Sequence, residues 1–141
     1  VLLMSKTVLA VDDSRTMREM IKFTLENAGY TLVTAEDGND ALQQIAGKKI
    51  DVVISDVNMP NMNGMELIGR MKQDDQMSGI PVVVVSTEGS EKKMREAMAM
   101  GALGYVKKPF VPEDIKRTLN GILGVKDGQA EFDGDDDALD F

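Results

Sequence analysis

Short apolar runs and amphipathic stretches alternate five times along the chain. The run Val82–Val85 is apolar throughout, and so are the runs near residues 8–11 and 52–54. Runs without polar alternation are typical of strands that are buried on both faces of a sheet. Five strands are predicted, at residues 6–11, 31–35, 50–55, 81–85 and 104–106.

Five helices are predicted in the intervals between and after these strands. In the first, Met17, Ile21 and Leu25 recur at helical spacing behind Ser14, a plausible N-cap. The predicted helices cover residues 14–28, 41–46, 64–73, 91–100 and 112–123, with a turn at 36–38 before the second. Strand followed by helix, five times, predicts an α/β fold: a doubly wound, five-stranded parallel sheet with right-handed crossovers and helices on both faces.

Composition excludes several classes of site. The 141 residues contain no Cys and no His, so thiolate metal sites, disulfides, imidazole ligands and Ser/His or Cys/His catalysis are all excluded. Any metal must be held by oxygen atoms, which favours Mg²⁺ or Ca²⁺. No apolar run approaches the roughly 20 residues of a membrane span, and no clustered basic face predicts nucleic-acid binding. We therefore expect a cytoplasmic protein.

The acidic charge of the chain is concentrated at its end. Lys and Arg number 16, Asp and Glu number 24, and the formal net charge is −8. Residues 125–141 hold seven of the acids and one lysine, at their start, with few apolar residues. We expect one domain at residues 5–124, an acidic and flexible tail at 125–141, and a leader at 1–4. Residues 1–3 of this leader are expected to be non-native, since Met4 looks like a natural start.

Polar and charged residues stand where the predicted strands end. Asp12 and Asp13 follow the first strand, Asp56 the third, Ser86 the fourth and Lys108 the fifth. In a parallel sheet these ends meet at one edge, where such folds bind their ligands. Three neighbouring carboxylates need a cation between them, and together with a hydroxyl and an ammonium group they suit Mg²⁺ and a phosphoryl group.

Each residue also has a plainer interpretation when taken alone. Asp12 and Asp13 could cap the first helix, because negative charges near a helix N-terminus interact favourably with the helix macrodipole. Asp56 could cap a turn, Ser86 could be an ordinary loop hydroxyl and Lys108 could lie in a solvated turn. Their joint occurrence at the strand ends favours the phosphoryl site.

The chain resembles the response-regulator receiver domains, and among them the single-domain regulators of chemotaxis. The similarity rests on the segments VLAVDDSRTMREMI, AEDGNDAL, VISDVNMPNMNG, PVVVVSTEG and GALGYVKKPF. They extend over roughly residues 6–123. The resemblance implies a flavodoxin-like sheet with strand order 2-1-3-4-5.

The resemblance also implies roles for the residues at the strand ends. Asp56 corresponds to the phospho-acceptor and Lys108 to the phosphate-binding lysine. Asp13 and Asp56 correspond to direct Mg²⁺ ligands, and Mn²⁺ can take the place of Mg²⁺. Asp12 corresponds to the acid that holds a metal-bound water, and Asn58 contributes its backbone carbonyl as the third protein ligand.

Switching and phosphoryl lifetime are implied for four positions. Ser86 corresponds to the switch hydroxyl, at a position where Thr is commoner. Tyr105 corresponds to the aromatic residue that turns inward, although a half-buried strand tyrosine with a solvated hydroxyl is an open alternative. Asn58 and Glu88 form the chemotaxis-type pair, which implies a short-lived phosphoryl group. Glu88 is also where a phosphatase could contact the site.

The implied partners are proteins. The phosphoryl donor would be a sensor histidine kinase of the chemotaxis type. The output would be binding to a flagellar motor switch protein or another output protein. The regulator itself would be a monomer and not an enzyme with its own substrate. The residues expected on or near the output surface are Lys92, Lys93, Met94, Met98, Tyr105 and Lys107, although a core position is favoured for Met98. The acidic tail could dock on that surface or merely aid solubility.

Two other functions remain open at this stage. One is a receiver outside chemotaxis, acting as a phosphate sink or relay intermediate. The other is a haloacid-dehalogenase-like Mg²⁺ phosphatase, which is disfavoured because Asn58 stands where such enzymes carry a second catalytic Asp. The chain departs from the chemotaxis pattern at Asn63, at Thr118 and in its tail, which leaves the partner surface less certain than the chemistry.

Overall fold

A single five-stranded parallel sheet forms the centre of the molecule. The computed structural model describes residues 6–59, 61–86, 91–108 and 111–124. The strands are β1 (Thr7–Val11), β2 (Thr31–Ala35), β3 (Val52–Asp56), β4 (Val82–Ser86) and β5 (Gly104–Lys107). They lie in the order β2-β1-β3-β4-β5, and each neighbouring pair is parallel. The predicted fold class and strand order are confirmed.

Five helices connect and follow the strands. They are α1 (Arg15–Asn27), α2 (Gly38–Gly47), α3 (Gly64–Lys72), α4 (Glu91–Ala99) and α5 (Pro112–Leu123). Ser14 caps α1 as predicted, because its Oγ accepts a hydrogen bond from the backbone N–H of Met17 at 3.2 Å. Gly124 ends α5 at φ 74°, a left-handed conformation that glycine adopts without steric cost.

Two predicted boundaries were wrong by more than one residue. The third strand begins at Val52, not at residue 50. Asp51 is instead tied to the start of β1, since the backbone N–H of Thr7 donates to Asp51 Oδ2 at 2.7 Å. The second helix begins at Gly38, which was predicted as turn, because Asp37 caps it by accepting from the backbone N–H of Asp40 at 2.8 Å.

The sheet separates two apolar clusters. One cluster, on the side of α2, α3 and α4, contains Leu9, Val53, Leu67, Val84 and Ala97. The other, on the side of α1 and α5, contains Val8, Ile54, Val83, Ile115 and Leu119. Alternate residues of β1, β2, β3 and β4 supply the two clusters, which is why the central strands are apolar throughout.

The described helices do not include a membrane span. None of them has both the length and the apolar character needed to cross a bilayer. The predicted leader at 1–4, the whole of the predicted tail at 125–141 and Glu88 lie outside the described residues.

Candidate functional site

The ends of β1 and β3 bring three carboxylates together. The two strands are direct neighbours, with Val11 opposite Ser55, so Asp12 and Asp56 lie side by side at the carboxyl edge of the sheet. Carboxylate oxygens of Asp12, Asp13 and Asp56 all lie within 4.8 Å of one another. Asp12 and Asp56 are buried, with 2% and 5% of their surface exposed, whereas Asp13 is exposed.

Lys108 supplies a positive charge to this cluster from the far side of β4. It directly follows β5, whose residue Lys107 pairs with Ser86 of β4. The Lys108 Nζ lies 3.3 Å from Asp56 Oδ2 and 3.7 Å from Asp12 Oδ2. One ammonium group thus contacts both buried carboxylates.

Asp12 is fixed by its own loop and by α1. Its Oδ1 accepts a hydrogen bond from the backbone N–H of Ser14 at 2.8 Å, and its backbone carbonyl accepts one from Arg18 Nη1 at 2.6 Å. Burial raises the pKa of the Asp12 carboxyl, and the neighbouring charges of Asp56 and Asp13 raise it further. The Ser14 hydrogen bond and Lys108 lower that pKa without cancelling the rise.

The loop after β3 holds Asp56 from the opposite side. Asp56 Oδ1 accepts a hydrogen bond from the backbone N–H of Asn58 at 3.0 Å. The first residue of α3, Gly64, packs so closely that a Cβ atom there would lie 2.6 Å from the Asp56 carbonyl oxygen. Only a residue without a side chain fits at this position without movement of the strand end.

Lys93 of α4 also contacts this loop. Its Nζ lies 2.9 Å from Asn58 Oδ1, so α4 is joined to the residue two positions beyond Asp56. The sequence pattern predicts Lys93 on or near an output surface, but it predicts neither this contact nor that of Arg18 with Asp12. Neither has a sequence signal, because each depends on how a helix is oriented against a loop.

The remaining predicted residues are described only in part. Ser86 is the last residue of β4, as its predicted position at a strand end requires. Tyr105 lies on β5 with 46% of its surface exposed, which is an outward position. Asn63, noted as a departure, is the N-cap of α3, and it forms a reciprocal capping box with Glu66.

The carboxylate cluster fits a divalent cation. Lys108 contacts two of the three carboxylates, and these four groups together carry an excess of two negative charges when all three acids are ionised. All the side-chain donors of the cluster are oxygen atoms, the ligands that Mg²⁺ and Mn²⁺ prefer. Burial is the main cause of the raised pKa of Asp12, and the charges of Asp56 and Asp13 add to it, so the ionised form of Asp12 is disfavoured without a cation.

Comparison with known proteins identifies the family. Residues 8–120 match the model of the response regulator receiver domain. The chain belongs to this receiver family. This match confirms the family resemblance seen in the sequence. Membership implies a histidine kinase partner and an output target.

Similar receivers include proteins named for chemotaxis and one named as a transcriptional regulator. The chain is 38% identical to the chemotaxis protein CheY1 of Helicobacter pylori, over 85% of this chain and 98% of that protein. The crystal structure of the chemotaxis response regulator CheY4 of Vibrio cholerae has a TM-score of 0.79 and 42% identity, and the match covers 84% of this chain and 99% of that one. The phosphate regulon regulator PhoB of Pseudomonas aeruginosa is 35% identical over 86% of this chain but only 53% of its own length.

Proposed function

We propose that the chain is a single-domain response regulator in which Asp56 accepts a phosphoryl group from the phosphohistidine of a CheA-like sensor histidine kinase. The contact between Lys108 Nζ and Asp56 Oδ2, at 3.3 Å, supports this role best. It pairs a buried carboxylate with a cation that can also bind phosphoryl oxygens. Residues 5–124 would form the receiver, and we propose a cytoplasmic monomer.

In the proposed reaction a carboxylate oxygen of Asp56 attacks the phosphorus atom. The new O–P bond forms while the N–P bond of the donor phosphohistidine breaks, and the donor imidazole leaves with the electron pair of that bond. Lys108 binds the phosphoryl oxygens, and Ser86 would donate a hydrogen bond to one of them. Such transfers need mainly positioning and charge neutralisation, which these fixed groups supply.

Asp12, Asp13 and Asp56 are the side chains that would hold Mg²⁺, together with the backbone carbonyl of Asn58. The bound cation would neutralise negative charge on the phosphoryl oxygens and on the carboxylates. We propose that the chain's own turnover is limited to its phosphorylation and dephosphorylation, with Asn58 and Glu88 influencing the lifetime of the phosphoryl group.

The output would be a change in binding affinity. Ser86 and Tyr105 would couple the phosphoryl group to the surface formed by α4, β5 and α5, where Tyr105 is 46% exposed. The chemotaxis names of the relatives with full-length matches favour a flagellar motor switch protein as the target. A receiver outside chemotaxis is the second candidate, favoured by the similarity to PhoB.

The phosphorylation test uses intact mass after incubation with acetyl phosphate. We expect one phosphoryl adduct on the wild-type chain with Mg²⁺, and none with a chelator or in the Asp56→Asn variant. The variant is nearly isosteric and keeps an oxygen to accept from the backbone N–H of Asn58, so loss of the adduct would not reflect loss of folding. An adduct on Asp56→Asn would assign the acceptor elsewhere. If neither chain forms an adduct, a stable fluoroberyllate mimic should still bind the wild-type chain, and its failure to bind would refute the proposed function.

A further inference from the structure

Lys93 lies in the first turn of α4, yet it contacts the loop that follows Asp56. Its Nζ is 2.9 Å from Asn58 Oδ1, a contact that joins residues 35 positions apart in the chain. Asn58 in turn donates its backbone N–H to Asp56 Oδ1 at 3.0 Å. Asn58 therefore links the two groups: its side-chain oxygen accepts from the α4 ammonium group, and its backbone N–H donates to the buried carboxylate.

The two lysines near Asp56 are placed differently. Lys108 contacts the carboxylate directly and is partly buried, with 21% of its side chain exposed. Lys93 is exposed and reaches the carboxylate only through Asn58. Lys93 is thus a second cation, on the solvent side of the site, which the sequence did not predict there.

We infer that Lys93 is a positioning residue that prolongs the phosphoryl state of Asp56. Its ammonium group holds the Asn58 side-chain amide, so that the amide oxygen is less able to orient the water molecule that hydrolyses the phosphoryl group. This inference rests on the proposed function and adds the control of lifetime by α4. Its geometric basis is the Lys93–Asn58 contact.

Two physical effects act in the same direction. Water that attacks a phosphoryl group is oriented by an acceptor that draws on its proton. The Asn58 amide oxygen is such an acceptor, and the Lys93 ammonium group occupies one of its lone pairs and makes it less basic. The ammonium charge is also attractive to phosphoryl oxygens, which favours the phosphorylated ground state.

The test compares the decay of the phosphoryl adduct in matched variants. Each chain is phosphorylated with acetyl phosphate, transferred rapidly into Mg²⁺ buffer without donor, acid-quenched at intervals and weighed intact. Lys93→Met keeps most of the apolar side chain but removes the ammonium group. We expect its hydrolysis rate constant to rise roughly threefold to tenfold, the size expected of one exposed charge-assisted hydrogen bond.

Two control variants separate this role from general effects of charge. Lys92→Met removes the neighbouring exposed ammonium group of the same helical turn, and we expect no change in the rate. Lys93→Arg keeps a cationic donor, and we expect decay within about twofold of the wild type. In an Asn58→Ala background, Lys93→Met should add little further change, because its partner is gone.

The inference is overturned by an unchanged or slower decay in Lys93→Met, by an equal effect of Lys92→Met, or by full additivity with Asn58→Ala. The side-chain amide resonances of Asn58, followed by NMR in the unphosphorylated chain, give a readout that does not need phosphorylation. They should shift in Lys93→Met but not in Lys92→Met. If the wild-type chain neither takes a phosphoryl group nor binds fluoroberyllate, the proposed function fails by itself, while unshifted resonances would separately exclude the contact.

Discussion

Replacing Asp12 by Asn should stabilise the metal-free chain, although the residue is buried in the functional site. The amide keeps an oxygen that can accept from the backbone N–H of Ser14, which the carboxylate does at 2.8 Å. The substitution removes a buried negative charge that lies beside the carboxylates of Asp13 and Asp56. We therefore expect a gain in the free energy of unfolding rather than the usual loss.

The magnitude follows from the distances in the cluster. At an effective dielectric constant of about 20, two carboxylates at 4.8 Å, the upper limit of the separations in the cluster, repel by about 3.5 kcal/mol, and closer pairs repel more strongly. On the same basis Lys108 attracts Asp12 across 3.7 Å by about 4.5 kcal/mol. Repulsion by Asp56 and Asp13 together exceeds this attraction, although solvent screens the exposed Asp13, and burial adds a desolvation cost. We expect a net gain of roughly 1–2 kcal/mol, or a rise in Tm of roughly 3–8 °C.

The pH dependence carries the sign of the effect. Because the pKa of Asp12 is raised in the folded chain, the folded state binds a proton there more readily than the unfolded state. The energetic cost of Asp12 is therefore full above its folded pKa, and it disappears as the pH falls toward the ordinary aspartate value of 3.8. The stability gap between variant and wild type should be largest near neutral pH and shrink in acid.

Thermal unfolding in a chelating buffer, at about pH 7.5 and about pH 4.5, tests this reasoning. Asp13→Asn is the matched control, and it should give a smaller gain because Asp13 is exposed. Added Mg²⁺ should raise the Tm of the wild type more than that of Asp12→Asn. A variant that melts at or below the wild-type temperature near neutral pH, or a gap that does not shrink in acid, would refute the electrostatic account.

Two further substitutions test packing around the site and in the core. Gly64→Ala should lower the free energy of unfolding by roughly 1–3 kcal/mol, because its Cβ would lie 2.6 Å from the Asp56 carbonyl oxygen. Chemical denaturation measures this free energy, and an unchanged denaturation midpoint would contradict the close packing. Tyr30→Phe should cost roughly 1–2 kcal/mol, because the Tyr30 hydroxyl donates to Asn120 Oδ1 at 2.5 Å within the core. Burial raises the pKa of Tyr30 to about 12. Ultraviolet titration of the folded chain should therefore show one tyrosine that ionises only at unusually high pH, and a titration without such a tyrosine would contradict the burial of Tyr30.

The sheet and the carboxylate cluster were predictable because both follow from order along the chain. Continuous apolar runs such as Val82–Val85 identify buried parallel strands, and parallel strands must end at one edge. The grouping of Asp12, Asp13 and Asp56 therefore follows from the sequence alone. That they lie within 4.8 Å of one another is a consequence of β1 and β3 being neighbours.

Contacts that depend on helix orientation could not be predicted in this way. Ala97 of α4 is buried in the apolar cluster on this side of the sheet, and with the helix in this orientation Lys93, one turn earlier, contacts Asn58. Asn63 was noted only as a departure from a family pattern, whereas the structure shows it as a helix cap. Helical periodicity tells which residues face inward, but not which loop the outward residues touch.

The two apolar clusters differ in the kind of side chain that fills them. Seven methionines, three buried and four partly buried, belong to the cluster beneath α2, α3 and α4, whereas the cluster beneath α1 and α5 has only Met17 and Met20 at its margin. Unbranched thioethers adapt their shape at little cost, while branched aliphatic side chains do not. Side chains can therefore repack more readily in the cluster beneath α2, α3 and α4 than in the cluster beneath α1 and α5. Methionine methyl groups are natural spectroscopic labels, and they are concentrated in the cluster that repacks more readily.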